Sequence, residues 1–378
     1  MRHHNATLNT ARKLRETMIR VAIIGCGKIA DAHAEQIQRI SGCEIVGVCD
    51  SEELMARQLS ERFHIKYHFT DVRQLLEKTH PNVVHVTTPP QSHFKLAEIS
   101  LDSGCHVYVE KPFTLSTTES QKLLDLATKR GLKITVGHDD QFTHAARRMR
   151  EMINKGYLGG TPVHMESYYC YDLGDATYAK ALLGDKTHWV RSLPGKLLHN
   201  NISHGISKIT EFLNSDSPEV IATGFTSPFL QSMGETEIID ELRVIIHDKS
   251  DQTAYFTFSS QMRPTLHHFR LYGHSNGIMV DHHHQTVIKL RGTKYKSYLD
   301  KFVPPYVFAK QYISNSTINM RKFLKRDFHM KSGMKFLIES FYTSIVNESK
   351  LPISYREILL TSKIMDNIFE QIYPVQRS

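Results

Sequence analysis

Arg20-Val21-Ala22-Ile23-Ile24-Gly25-Cys26-Gly27-Lys28-Ile29-Ala30 is the stretch that decides the fold of this chain. The apolar, β-branched run ending at Ile24 reads as a strand covered on both faces. The turn Gly25-x-Gly27-x-x-Ala30 follows it, and residues 29–40 continue with helical spacing. The first glycine permits a tight turn. The second removes a Cβ where a pyrophosphate approaches the backbone, and the third position needs only a small residue for helix–strand packing. The helix N-terminus then presents free N–H groups and partial positive charge to phosphates.

Working outward, strand and helix alternate. Residues 44–50 form a second strand, and Ser51 is placed to cap a helix over 52–62. Strands over 83–86, 107–109 and 133–136 alternate with helices over 91–101 and 116–129. This predicts an α/β chain whose residues 18–138 form a Rossmann domain with a doubly wound parallel sheet. Beyond it, after a helix over 142–154, period-two alternation dominates: 163–171, 219–225, 238–247, 252–259, 268–272, 277–281 and 285–290. Residues 139–378 are therefore expected to form an α+β domain with a large, mostly antiparallel open sheet. Its helices are expected over 202–213, 334–347 and 355–373.

Composition narrows the function classes. The 378 residues are 40% hydrophobic and 23% charged, enough for about two domains. No apolar run reaches the roughly 18 residues of a membrane span. The first 17 residues lack an apolar h-region and read as a flexible extension, not a secretory signal. Cys26, Cys43, Cys49, Cys105 and Cys170 form no CxxC, which predicts reduced thiols in a cytoplasmic protein.

Charge is concentrated. The chain carries +8, yet residues 286–335 hold 12 basic and 2 acidic side chains, so the remainder sums to −2. The same stretch carries Tyr295, Tyr298, Phe302, Tyr306, Phe308, Tyr312, Phe323 and Phe328. The plain expectation is a partly helical excursion whose aromatics pack on the body. The sharper one is a peripheral contact with an anionic membrane surface or acidic partner. No nucleic-acid module is present, and nucleic acid is not expected as a partner.

Asp50 ends the second strand, 20 residues after Ala30. A carboxylate there accepts hydrogen bonds from ribose hydroxyls and repels a 2′-phosphate, which favours NAD over NADP. Lys111, in Glu110-Lys111-Pro112, ends a later strand on the same edge of the sheet.

The chain resembles the glucose–fructose oxidoreductase, inositol dehydrogenase and MocA family. The resemblance rests on the glycine turn, Thr87-Thr88-Pro89-Pro90-x-x-His93, Glu110-Lys111-Pro112 and the segment from Gly195 to His204. It implies an NAD-dependent dehydrogenase acting on a secondary alcohol or ketone of a sugar, with Gly25, Cys26, Gly27, Lys28, Ile29, Ala30, Asp50, Thr87, Thr88, Pro89, His93, Glu110 and Lys111 around the cofactor. It also implies that Lys111 and His204 handle the hydroxyl proton and that the protein is a homodimer or homotetramer. An anionic or nucleotide-linked sugar is expected, with Tyr169, Arg191, Lys196 and His199 as substrate residues. No metal is expected: in Asp281-His282-His283-His284, consecutive side chains point to alternate faces.

The chain departs from the family where an aspartate is expected four residues before the histidine; Asn200 stands there. Asn200 can orient a hydroxyl but cannot stabilise an imidazolium by charge. Two other readings therefore stay open: a redox-neutral, NAD-dependent glycosidase and a non-catalytic dinucleotide-binding sensor. His93 is open between a cofactor neighbour and a helix cap.

Overall fold

The computed structural model describes residues 18–172, 185–249, 251–328 and 331–373. The expected extension over 1–17 lies outside the described residues. The chain divides into two compact units. One is Met1–Asp139 with Gly333–Ser362; the other is Asp140–Ser332 with Lys363–Ser378.

In the first unit the elements run β1 (Ile19–Ile24), α1 (Lys28–Gln38), β2 (Cys43–Cys49), α2 (Glu53–Arg62), β3 (His68–Phe69), α3 (Val72–Thr79), β4 (Val83–Val86), α4 (His93–Asp102), β5 (His106–Val109), α5 (Thr117–Arg130) and β6 (Ile134–Val136). The six strands are parallel in the order β3-β2-β1-β4-β5-β6. Strand order reverses between β1 and β4, so their carboxyl ends, at Gly25 and Thr87, flank the crevice where such sheets take ligands. Val21, Ala22, Ile23, Val83 and Val84 are fully buried, as a sheet covered on both faces requires.

Local chemistry accounts for the ends. Ser116 caps α5 by accepting from Glu119 N at 3.2 Å. The expected Ser51 cap is a correction: Glu52 occupies the cap position of α2 without a side-chain bond, while Ser51 Oγ lies 3.5 Å from Asp50 Oδ1. Strand β3 and helix α3 were not expected. A two-residue strand leaves no periodic signal, and α3 is marked only by its cap, Asp71, which accepts from Gln74 N at 2.8 Å.

The second unit opens with α6 (His144–Asn154) and β7 (His164–Asp172), then α7 (Lys196–Asn201), α8 (Ser203–Thr210), β8 (Glu219–Phe225), α9 (Pro228–Ser232), β9 (Glu241–His247), β10 (Thr253–Ser259), β11 (Gln261–Tyr272), β12 (Asn276–Asp281), β13 (Thr286–Arg291) and α10 (Leu299–Leu324). Its seven strands are ordered β13-β12-β11-β7-β10-β9-β8, antiparallel except for the β7–β10 pair. The helix expected over 202–213 is the shorter α8, and a further short helix that was not expected, α7, precedes it and meets it at Ile202.

The last two helices are α11 (Ser332–Val346) and α12 (Tyr355–Ile372). Sequence reading grouped both with the second half. Instead Phe341 and Tyr342 of α11 are fully buried in the first unit, with Tyr342 Oη 2.7 Å from His85 Nε2.

Helix α10 corrects another expectation. It meets edge strand β13 through amides, not aromatics. Gln311 accepts from Lys289 N at 2.7 Å and donates to Lys289 O at 3.2 Å. Asn315 does the same with Val287, both at 3.0 Å. Two amides four residues apart on a helix match two strand residues two apart, and so satisfy the open edge. Of the eight aromatics expected to pack on the body, Tyr298, Phe302, Tyr306, Tyr312 and Phe323 are exposed, whereas Tyr295 and Phe308 are half-buried and Phe328 stacks on His144 at 6.1 Å.

Candidate active site

The glycine turn separates two physical demands. Gly25 has φ +95°, and a Cβ there would lie 2.6 Å from Thr88 Cγ2 and 2.8 Å from the carbonyl carbon of Thr87. The turn itself therefore needs glycine. Gly27 has φ −74°, and a Cβ there would meet nothing within 4 Å. The protein's own packing leaves that space open, in front of the first turn of α1, where Lys28 and Ile29 lie and no side chain caps the helix. Ala30 is fully buried behind it. These residues fit a dinucleotide pyrophosphate.

Asp50 locks this turn: Cys26 N donates to its Oδ2 at 2.7 Å and Glu52 N to its Oδ1 at 3.0 Å. Its side chain remains part-exposed at the end of β2. The Cys26 thiol is pushed up to about 12, first by burial and then by Asp50, which makes it an inert structural cysteine. All five cysteines are free.

The loops after β4 and β5 are tied together. Thr87 Oγ1 donates to Gly25 O at 2.6 Å, and Ser92 Oγ to Thr88 Oγ1 at 2.7 Å. Pro89 leads into a short 3-10 turn, Pro90–Ser92. His93 is fully buried, and its ring nitrogens lie 2.8 Å from Thr88 O and from Pro112 O. It is a clamp between the Thr-Thr-Pro loop and the Lys-Pro loop.

Behind Lys111 runs a buried polar chain. Glu110 Oε2 accepts from Lys111 N at 3.1 Å, and Oε1 lies 2.8 Å from His33 Nε2. His33 Nδ1 faces His85 Nδ1 at 2.8 Å, and His85 Nε2 faces Tyr342 Oη at 2.7 Å. One proton pattern satisfies every link: Tyr342 donates to His85, His85 to His33, and His33 to a carboxylate at Glu110. Burial alone would raise the Glu110 carboxyl, but the His33 hydrogen bond and Lys111 bring it down to about 2. Burial, then His33, keeps His85 neutral by lowering its pKa well below the usual histidine range.

The second unit gathers a different cluster. Register pairs His267 of β11 with Tyr169 of β7. Their rings stack at 4.6 Å, and Tyr169 also stacks on His204 of α8 at 5.4 Å. Gly205, where a Cβ would lie 2.2 Å from Phe256 Cε2, lets α8 come this close to the sheet. Asp140 Oδ2 lies 4.0 Å from His204 Nδ1 and accepts from the buried Lys208 Nζ at 3.2 Å. Burial opposes an Asp140 carboxylate, yet Lys208 and then His204 hold its pKa well below the usual range. Burial first, then Lys208, lowers His267 to about 4 and holds His282 well below the usual histidine range. Gln141 and an Arg150–Glu211 ion pair pin this segment to the end of α8.

Asn200 sits on α7, one short helix before His204. The charge that Asn200 lacks is thus supplied to His204 by Asp140, from a distant part of the sequence. Other expected residues stay apart from this cluster. His199 is buried and stacks on Phe369 at 4.9 Å. Arg191 Nη2 lies 2.6 Å from Glu235 Oε2, and Lys196 Nζ lies 3.4 Å from Glu237 Oε2. Trp189 and Tyr171 pack against Val190, Leu197, Leu230 and Ile238. The three histidines after Asp281 diverge: His282 is buried, while His284 pairs with Asp281 at 2.7 Å on the surface.

Sequence reasoning missed His33, His85, Asp140, Lys208 and His267. Two had a legible signal. His33 falls on the buried stripe of α1 with Ala30, Ala34 and Ile37, and His85 interrupts an otherwise apolar strand. Asp140 had none, because only the fold brings it to α8.

Residues 19–138 match a family model described as an oxidoreductase family with an NAD-binding Rossmann fold. D-glucoside 3-dehydrogenase of Escherichia coli (strain K12) is 32% identical over 142 residues, 37% of this chain and 40% of that protein. UDP-N-acetylglucosamine 3-dehydrogenase of Acidithiobacillus ferrooxidans is 30% identical over 149 residues, 39% of this chain and 44% of that protein. The chain thus matches about two fifths of the length of these relatives. Over the whole fold, the solved structure of the Acidithiobacillus ferrooxidans enzyme superposes with a TM-score of 0.71 at 18% identity, covering 94% of this chain and 97% of that one. The WlbA dehydrogenase of Bordetella pertussis, solved with NADH and UDP-GlcNAcA, gives 0.73 at 13% identity, covering 94% and 95%. Residues 19–138 are thus similar to the NAD-binding Rossmann domain of the glucose–fructose oxidoreductase, inositol dehydrogenase and MocA family of oxidoreductases.

Proposed function

We propose that this protein is an NAD-dependent dehydrogenase acting on a secondary alcohol of a sugar. The observation that carries this reading is the Asp140–His204 pair on the stacked Tyr169–His267 platform. An imidazole with a carboxylate beside it can take a hydroxyl proton and hold the resulting charge. Nicotinamide, when bound, supplies the hydride acceptor at its C4. His204 takes the proton, Asp140 stabilises the imidazolium, and Asn200 orients a sugar hydroxyl. The Lys111 ammonium hydrogen-bonds the reacting oxygen and stabilises negative charge on it. Tyr169 offers an apolar face to the sugar ring.

Asp50 supports NAD over NADP, since its carboxylate would meet a 2′-phosphate. A nucleotide-linked sugar is supported by the names of two relatives. An anionic sugar has less support, because Arg191 and Lys196 already face Glu235 and Glu237. The carboxylate at Asp140 also weakens the sensor reading, which rested on the charge missing at Asn200.

The test is calorimetric titration with NAD and NADP, followed by nicotinamide reduction with UDP-N-acetylglucosamine and simple glucosides. NAD should bind more tightly, and H204A should lower turnover by about 10²–10⁴-fold. Tighter binding of the phosphorylated cofactor removes the Asp50 assignment. Wild-type turnover by H204A removes the proton acceptor. Sugar release without accumulation of reduced cofactor selects the redox-neutral glycosidase instead.

A further inference from the structure

We propose that α10 is a peripheral membrane anchor that lays its outer face on an anionic lipid bilayer. The proposal goes beyond the dehydrogenase reading and does not depend on it. The inner face of the helix is set by Gln311 and Asn315 on edge strand β13. The opposite face is therefore fixed outward. Along it run Leu299, Phe302, Tyr306, Ile313, Met320 and Leu324, spaced by threes, fours and sevens, on one stripe of the helix. All six are exposed; Phe302 is 69%, Ile313 68% and Leu324 73% accessible. A helix of 26 residues carries this stripe for about 39 Å. A continuous apolar strip of that length needs a cover.

The charge around the stripe says which cover. Lys301, Lys310, Arg321, Lys325 and Arg326 accompany it, with no acidic residue from 301 to 326, while Lys322 pairs with Asp327 at 3.3 Å. Lys294 and Lys296 lead into the same helix. A second copy of α10 would bring like charge against like, without the opposite-sign flanking residues that register paired helices. An anionic surface answers both features: apolar and aromatic side chains enter the headgroup boundary while lysines reach the phosphates. The cations already lie against rings in this manner, with Lys310 Nζ 4.5 Å and Lys301 Nζ 5.8 Å from the ring centres of Tyr306 and Tyr298. A groove of about 560 Å³ opens beside the stripe, with Tyr312, Met320, Phe323 and Phe328 as its apolar wall and Asp281 and His284 among its polar lining. Among the described residues no helix is long and apolar enough to cross a membrane, so α10 lies on the surface and does not span it.

The full-length protein is sedimented with phosphatidylcholine vesicles, with and without about 30 mol% phosphatidylserine, at low salt and at about 0.5 M salt. Binding should be at least about tenfold stronger to the anionic vesicles and should be lost at high salt. The variant F302S/I313S/L324S should lose binding about tenfold or more, and so should K310E/R321E. Both should keep the wild-type melting temperature and the wild-type mass in light scattering, since the altered side chains are exposed. Equal binding to neutral vesicles, no binding, or full binding by the serine variant would overturn the proposal. A native oligomer that the serine variant converts to a smaller species would overturn it too, and would assign the stripe to a second copy.

Discussion

His33 Nε2 lies 2.8 Å from Glu110 Oε1, and neither side chain is open to water. Helix α1, which follows the glycine turn, is thereby bonded to the strand end that carries Lys111. Removing the imidazole leaves a buried carboxylate without its strongest partner. H33A should cost on the order of 3 kcal/mol in urea unfolding. The Glu110 carboxyl, held at about 2, stabilises the fold fully above its unfolded value near 4.5. That stabilisation is lost as pH falls from about 4.5 towards 2. In H33A burial is no longer offset, the folded Glu110 value rises, and the stability–pH slope between about 4.5 and 2 should flatten; an unchanged slope would deny the bond its role.

Gly25 and Gly27 should respond oppositely to alanine. G25A places a Cβ against Thr88 at a left-handed φ and should lower stability by about 2 kcal/mol or more. G27A meets no protein atom, so its melting temperature should match or exceed that of the wild type. Its affinity for NAD should fall at least about tenfold, because the added methyl fills the pyrophosphate space. Undiminished NAD affinity in G27A would mean the open space serves no ligand.

Asp140 and Lys208 should be coupled. D140A leaves the buried Lys208 ammonium unpaired and should destabilise by about 3–5 kcal/mol. The double variant D140A/K208M should recover much of that loss, a non-additivity read from a double-mutant cycle. D140N, which nearly preserves shape, should lower turnover and move the acidic limb of the pH–rate profile to lower pH if Asp140 sets the His204 proton affinity. A shape change in stability alone, with an unmoved profile, would leave Asp140 a structural residue.

Buried neutral histidines predict acid sensitivity well above the carboxylate range. His267 is lowered to about 4, chiefly by burial, and burial likewise holds His85 and His282 well below the usual histidine range. A histidine neutral in the fold but free to charge when unfolded gives full stability above about pH 6.5. It loses that stability as pH falls from there to its folded value. One such group costs about 1.4 kcal/mol by pH 5.5. H267F keeps a ring on Tyr169 and should flatten the melting-temperature profile between about pH 6.5 and 5; an unaltered slope would contradict the assignment.

The dinucleotide unit was legible because its signals are local. Val83–Val86 and the turn at Gly25 are contiguous, so periodicity and glycine chemistry read them directly. The same reading could not see pairings that depend on distant partners. Arg191 and Lys196 looked available to an anionic substrate, but Glu235 and Glu237 meet them from a segment some 40 residues on. The aromatics of α10 looked like core, but two amides, Gln311 and Asn315, turned that face outward.

Sequence alone determined the alternating first sheet, the glycine cradle with Asp50 beyond it, and the basic aromatic stretch, because each is written in neighbouring residues. Tertiary structure decided which charges are paired and which imidazoles are neutral. Asp140 reaches His204 and Lys208, and Tyr342 reaches His85 across 257 positions, only after the chain has folded. Burial and pairing are properties of three-dimensional neighbours, and no linear spacing encodes them.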